Sequence, residues 1–177
     1  MSHSSTAQLL NYWAGRRRGP AIPRRRDIDP AELGALLPRM LLLAPVAGER
    51  FAFALAGEAA CDLLGRRLKG VCIDEVFVPE ARSELRALLR VALAGAEALV
   101  IGAEVVGVEG AAIEIVLAPL AGSDGTADRL IGHCQPLRVF TTSRPGPRLL
   151  ALRAVGRAGE EPRPPLRLAV LNGRRVA

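Results

Sequence analysis

The amino-acid sequence predicts an α+β fold: a five-stranded antiparallel sheet with short helices on one face and a further helix at the N-terminus. Three observations carry this. Phe51 to Leu55 alternates large apolar side chains (Phe51, Phe53, Leu55) with alanines, as a packed strand does. Gly57 then permits a turn, Glu58 to Leu64 sets Ala59, Ala60, Leu63 and Leu64 along one helical stripe, and Gly65 is placed to end it left-handed. Finally, three strand-like runs follow Gly95 with no helix between them. An order of two strands, several helices and three strands closes an antiparallel sheet with its helices inserted in the middle.

The elements follow in chain order. Ser5 and Thr6 are candidate caps for a helix from Ala7 to about Arg17, on which Leu9, Leu10, Trp13 and Arg17 share one side. Gly19-Pro20 and Pro23 stop it. Asp29 before Pro30 fits an N-cap with proline at the first helical position, and Glu32 sits in the first turn, where the helix dipole favours an acid. Leu33, Leu36 and Leu37 are the apolar positions of that short helix, which Pro38 ends.

Met40 to Leu43 and Phe51 to Leu55 form the first strand pair, joined through Pro45-Val-Ala-Gly48. Glu58 to Leu64 and Asp74 to Val78 are short helices. A longer helix runs from Pro79 through Leu93 to a stop at Gly95, with Leu85, Leu88, Leu89, Ala92 and Leu93 on its apolar side and Arg82, Arg86 and Arg90 on a solvated one. Leu99 to Val108 and Ala112 to Leu120 flank a turn at Glu109-Gly110, and Arg129 to Val139 is the fifth strand. From Thr141 the chain changes character. Pro145, Pro147, Pro162, Pro164, Pro165 and spaced arginines predict a mostly disordered tail, within which Leu166 to Leu171 is a candidate strand or docking peptide for an exposed sheet edge. The expected organisation is a basic helix and linker over 1–26, a domain over 27–140 and a Pro/Arg-rich tail over 141–177.

Trp13, Pro23-Arg-Arg-Arg-Asp-Ile-Asp-Pro30, Leu36-Leu-Pro38, the Met40 to Leu43 strand and Phe51 to Gly57 occur in an order and spacing that resembles the compact PAS-like family of alphaproteobacteria, the fifth PAS family, from Gln8 to Phe140. The resemblance implies a sensory or regulatory domain of bacterial signal transduction that binds a small ligand, a partner protein or both, and catalyses nothing. It also implies an N-terminal helix extending from the domain as a dimer element, for which Leu9, Leu10 and Trp13 supply the stripe. No kinase, cyclase or DNA-binding output follows in the chain, so the implied output acts in trans.

Composition bounds the cellular setting. At 177 residues and 50 % hydrophobic, the chain suffices for one well-buried domain and is short for two. No opening run has signal-peptide character, and no stretch approaches the roughly 20 apolar residues a bilayer span needs. Cys61, Cys72 and Cys134 are odd in number and unpaired in spacing, which suits reduced thiols. Together these predict a soluble, cytoplasmic protein. Charge is uneven: Arg16 to Arg18 and Arg24 to Arg26 lie in an opening stretch without an acid, the middle is net acidic, and the last 37 residues are again basic. Such ends suit a phosphate-bearing partner, an acidic protein, a membrane surface or the domain itself.

Catalytic constellations are absent from the pattern. His133 is the sole histidine of the domain, and its neighbour Cys134 points to the opposite strand face, so the two make no nucleophile–base pair. Haem ligation by His133 is disfavoured against a plain buried histidine. The flavin-adduct run Asn-Cys-Arg-Phe is missing, Cys61 being followed by Asp62 and Leu63. Cysteine spacing fits no metal site, Lys69 is the only lysine, and no phosphate-loop glycine pattern accompanies it. Any cofactor is therefore unknown. The carboxylate pairs Asp27 and Asp29, and Asp74 and Glu75, carry no sign of a shared cleft; Asp29 reads as a cap.

The candidate ligand pocket is lined by Phe53, Leu64, Cys72, Val76, Leu89, Val105, Ile115 and His133, with the choice of odd or even strand residues left open by alternation. So apolar a set points to an apolar ligand or to plain packing, and packing is favoured. Two alternatives stand beside the sensor: a dimerisation or adaptor module with a filled core, and non-specific nucleic-acid binding through the basic ends. The latter lacks aromatic interleaving, a helix-turn-helix or a zinc module.

Overall fold

Six strands form one antiparallel sheet in the computed structural model: Met40–Val46 (β1), Arg50–Ala56 (β2), Leu99–Val105 (β3), Ala112–Ala121 (β4), Ala127–Pro136 (β5) and Leu150–Arg157 (β6), in the spatial order β2-β1-β5-β4-β3-β6. The structure describes residues 4–140 and 146–158, with two further strand segments at 170–171 and 174–175. Ser4–Gly15 (α1), Pro30–Leu33 (α2), Glu58–Leu64 (α3) and Pro79–Ala94 (α4) are helical, and short 3-10 turns occupy Arg25–Asp27, Gly34–Arg39 and Ile73–Val76. None of the described helices is long and apolar enough to cross a membrane.

Local signals operate where expected. The Asp29 carboxylate accepts the Ala31 N–H at 2.9 Å, capping α2 ahead of Pro30. Gly65 ends α3 with φ 66°, the left-handed conformation that favours glycine. Gly57 differs from expectation. Its backbone is ordinary (φ −66°), and glycine is needed instead because a Cβ would run into the Pro38 carbonyl. That close approach comes with a 2.9 Å bond from the Gly57 N–H to the Met40 carbonyl, which seats α3 at the start of β1.

The strand count is six rather than five. β6 pairs along β3 and comes from the stretch whose prolines and arginines predict disorder. Composition misses it because only alternate residues matter: Leu150 and Leu152 enter the core while Arg153 and Arg157 stay exposed. Val78 N–H donates to the Leu150 carbonyl at 3.0 Å, fastening the head of α4 to this strand. The candidate docking strand Leu166 to Leu171 lies outside the described residues except for Val170–Leu171 (β7), which pairs with Arg174–Arg175 (β8) and not with the sheet edge.

Both sheet faces are covered. On one, Leu41, Leu43, Phe53, Ile101, Ile113, Ile115 and Leu117 pack against α3, α4 and the Ile73–Val76 turn. On the other, Met40, Val100, Val116, Ala118, Leu120 and Ile131 pack against Leu9 and Trp13 of α1 and Leu33 of α2. The two sets alternate along β4, as the pleat requires. Each buried leucine, isoleucine or phenylalanine contributes roughly 1.5–3 kcal/mol through removal from water.

Candidate functional site

The residues expected to line a pocket divide between the two faces. Phe53, Leu64, Val76, Leu89, Val105 and Ile115 come together in the helix-side core, each at most 2 % exposed. Cys72 is buried at the N-terminal end of the Ile73–Val76 turn but stands outside that cluster, and burial pushes its thiol up despite nearby Arg50. His133 lies on the other face of the sheet. It stands opposite Met40 on β1 and Val116 on β4, both of which belong to the other core. Cys134, one residue on, holds the helix-side position instead, with its thiol pushed up to about 12 by burial. The reason is register, which only the pairing of β5 with its neighbours determines.

The expected dimer stripe is likewise turned inward. Leu9 and Trp13 are buried against the sheet, and Leu10 packs partly against the same core. The Trp13 indole N–H donates to the Pro119 carbonyl at 2.7 Å. Thr6 Oγ1 donates to a buried Glu114 carboxylate at 2.6 Å. So α1 does not extend from the domain. It closes the second face, because Leu9, Trp13 and Thr6 lie on a single side of the helix and match an apolar strip carrying one acid.

This docking sorts the opening arginines. Arg16 and Arg17 follow Tyr12 and Trp13 by four residues, and each guanidinium lies 4.9 Å over the corresponding ring centroid. Arg16 also pairs with Glu32, whose carboxylate raises the guanidinium pKa. Arg17 donates to the carbonyls of Ala96 and Pro20 at 3.2 and 3.1 Å. Arg18, Arg24 and Arg26 take another course: with Arg16, Ala21, Ile22, Pro23 and Asp27 they surround a cleft of about 420 Å³. A smaller apolar cleft, about 100 Å³, lies under α2 between Ile28, Leu33, Leu37, Leu42, Leu55 and Ile131. The i, i+4 spacing of ring and guanidinium is a readable signal for Arg16 and Arg17; the cleft depends on chain reversal and has none.

The helix side also holds an acidic node for which the sequence carries no local signal. Asp74 is 2 % exposed and takes two bonds from Arg50, at 3.2 and 3.3 Å, and one from Arg86 at 3.4 Å. Glu75 accepts from Arg50 at 2.7 Å, so this carboxylate pair shares a cation. Asp74 first, then Glu75, holds the Arg50 guanidinium above its ordinary pKa. Arg86 therefore ties α4 to the turn, where helical periodicity alone puts it on a solvated face. The node joins β2, the Ile73–Val76 turn and α4, and its groups are structural in arrangement. Among the described residues, no three His, Cys, Asp or Glu side chains gather as a metal site would require.

An antiparallel sheet in this order, with its helices inserted between the second and third strands, is the architecture of a PAS-like sensory domain. The family comparison agrees: the model of the PAS domain matches residues 1–135, and the chain belongs to that family. Its general class is thus that of sensory and regulatory signalling domains. A comparison with curated proteins found no match.

Proposed function

We propose that this chain is a non-catalytic regulatory PAS module of bacterial signal transduction, one that acts by docking a protein partner and whose helix-side core is filled by its own side chains. The observation that carries the reading is the state of Phe53, Leu64, Val76, Leu89, Val105 and Ile115: all are buried within one cluster of aliphatic and aromatic contacts. Interiors packed in this way hold few voids larger than a water molecule. A partner is then recognised at the rim and the outer helix surfaces.

Native mass spectrometry of the protein purified from its own host tests this. The expected result is a chain, alone or with a protein partner, carrying no small apolar molecule. An added mass that stays through native ionisation, leaves on denaturation and is lost in a Leu89→Trp variant would overturn the reading and establish a ligand-binding core.

A further inference from the structure

The arginine cleft is set by backbone, not by flexible side chains alone. Arg18 N–H donates to the Ala21 carbonyl at 3.1 Å and Ala21 N–H returns to Arg18 at 3.3 Å, closing a tight reversal through Gly19-Pro20. Ile22 is buried, and the Ala121 N–H of β4 donates to the Pro23 carbonyl at 2.9 Å, so the segment is tied to the end of a central strand. Asp27 then folds the chain back: its carboxylate accepts the Arg24 N–H at 2.8 Å, while its own N–H donates to the Arg24 carbonyl at 2.9 Å. The stems of Arg18, Arg24 and Arg26 are thereby held around one volume.

Three guanidiniums in one concavity repel each other, and little in the described residues offsets them. Arg18, Arg24 and Arg26 have no side-chain hydrogen bond or ion pair there, Arg16 is committed to Glu32, and Asp27 is the single acid of the lining. A volume of about 420 Å³ falls within the usual size of small-molecule sites. Guanidinium forks arriving from different directions match a tetrahedral, multiply charged oxyanion better than a planar single carboxylate. We infer that this cleft, lined by Arg18, Arg24 and Arg26, is a binding site for a small soluble compound carrying a phosphate or diphosphate group.

Nucleic acid fits the surroundings less well. Trp13 is buried with its N–H engaged and Arg17 over its ring, and Arg16 lies over the ring of Tyr12, so a base stacking at either would compete with a guanidinium already there. The cations also converge on one concavity instead of tracking a strand.

Inorganic pyrophosphate is the probe, titrated calorimetrically into the full chain at about 150 mM salt, where exposed charges are well screened. Saturable one-to-one binding is expected, weakened at least about tenfold in the Arg18→Gln/Arg24→Gln/Arg26→Gln variant. An Arg66→Gln/Arg67→Gln/Arg138→Gln variant, with the same change in charge elsewhere, should bind as the wild type does. Arg18→Gln alone, at an exposed position, should already weaken binding and guards against loss of fold in the triple variant. Absence of saturable heat up to about 10 mM pyrophosphate, a range that reaches weak millimolar affinity, overturns the assignment. Equal weakening by both triple variants also overturns it, as does tighter binding of a duplex oligonucleotide that depends on Arg18, Arg24 and Arg26, since that marks a polyanion track.

Discussion

Replacing Trp13 by alanine tests whether α1 belongs to the folded domain. Trp13 is 5 % exposed and fills the second core beside Leu9, Val116 and Ala118, so its removal leaves a large hole under α1. Truncations of this kind cost about 3–5 kcal/mol. The Trp13→Phe variant separates the hydrogen bond from the volume: the Pro119 carbonyl loses its 2.7 Å indole donor, a cost of about 1–3 kcal/mol. For a chain of this size each kcal/mol lowers Tm by about 2–4 °C, so the alanine variant should melt roughly 6–20 °C early. Urea and thermal unfolding followed by far-ultraviolet circular dichroism measure both variants. Trp13 is the only tryptophan, so native wild-type emission reports its surroundings directly and should be blue-shifted. A cost below about 1 kcal/mol for Trp13→Ala, or water-exposed emission in the native protein, would refute the docking and return α1 to the role of a projecting helix.

Gly57→Ala places a methyl group against the Pro38 carbonyl and should destabilise by about 1–3 kcal/mol or more, whereas Gly15→Ala, with open space around it, should be neutral or stabilising; urea midpoints compare them. Arg50→Met leaves the buried Asp74 carboxylate with Arg86 at 3.4 Å, at an expected cost of about 1.5–3 kcal/mol. Adding Asp74→Asn should recover part of that loss in a double-mutant cycle, and strict additivity would deny the coupling. Iodoacetamide at about pH 8 should modify half-buried Cys61 first and spare Cys134, whose thiol is held near 12 by burial. Because that pKa is raised on folding, the associated stability is whole below the ordinary thiol range and drains away as pH climbs toward about 12. Cys134→Ala should flatten this alkaline decline.

Features that depend on a few neighbouring residues are legible in the chain itself. Asp29 with Pro30 announces a capped helix start, and Gly65 marks the end of α3, whose bounds match the expected Glu58 to Leu64. The amphipathic run from Pro79 gives α4 to within one residue. Strand ends are less sharp: β3 stops at Val105 and not Val108, because left-handed glycines at 107 and 110 turn the chain first. Non-local facts lie out of reach. Which face His133 takes is decided by its alignment with Met40 and Val116, residues far away in sequence. β6 exists because β3 offers it an edge, and two leucines suffice once that edge is present. The fate of Leu9 and Trp13 depends on whether the sheet's second face is apolar, and Val116, Ala118 and Leu120 alternate with the other core too closely for the pattern to say which layer each serves.

That alternation makes β4 a party wall. Ile113, Ile115 and Leu117 face one layer, and Val116, Ala118 and Leu120 face the other, one peptide apart. Dense interiors do not compress, so a change in side-chain volume on one face of this strand is felt by its neighbours on the other. The two helical layers never need to touch to share a boundary, because one strand supplies a wall to each.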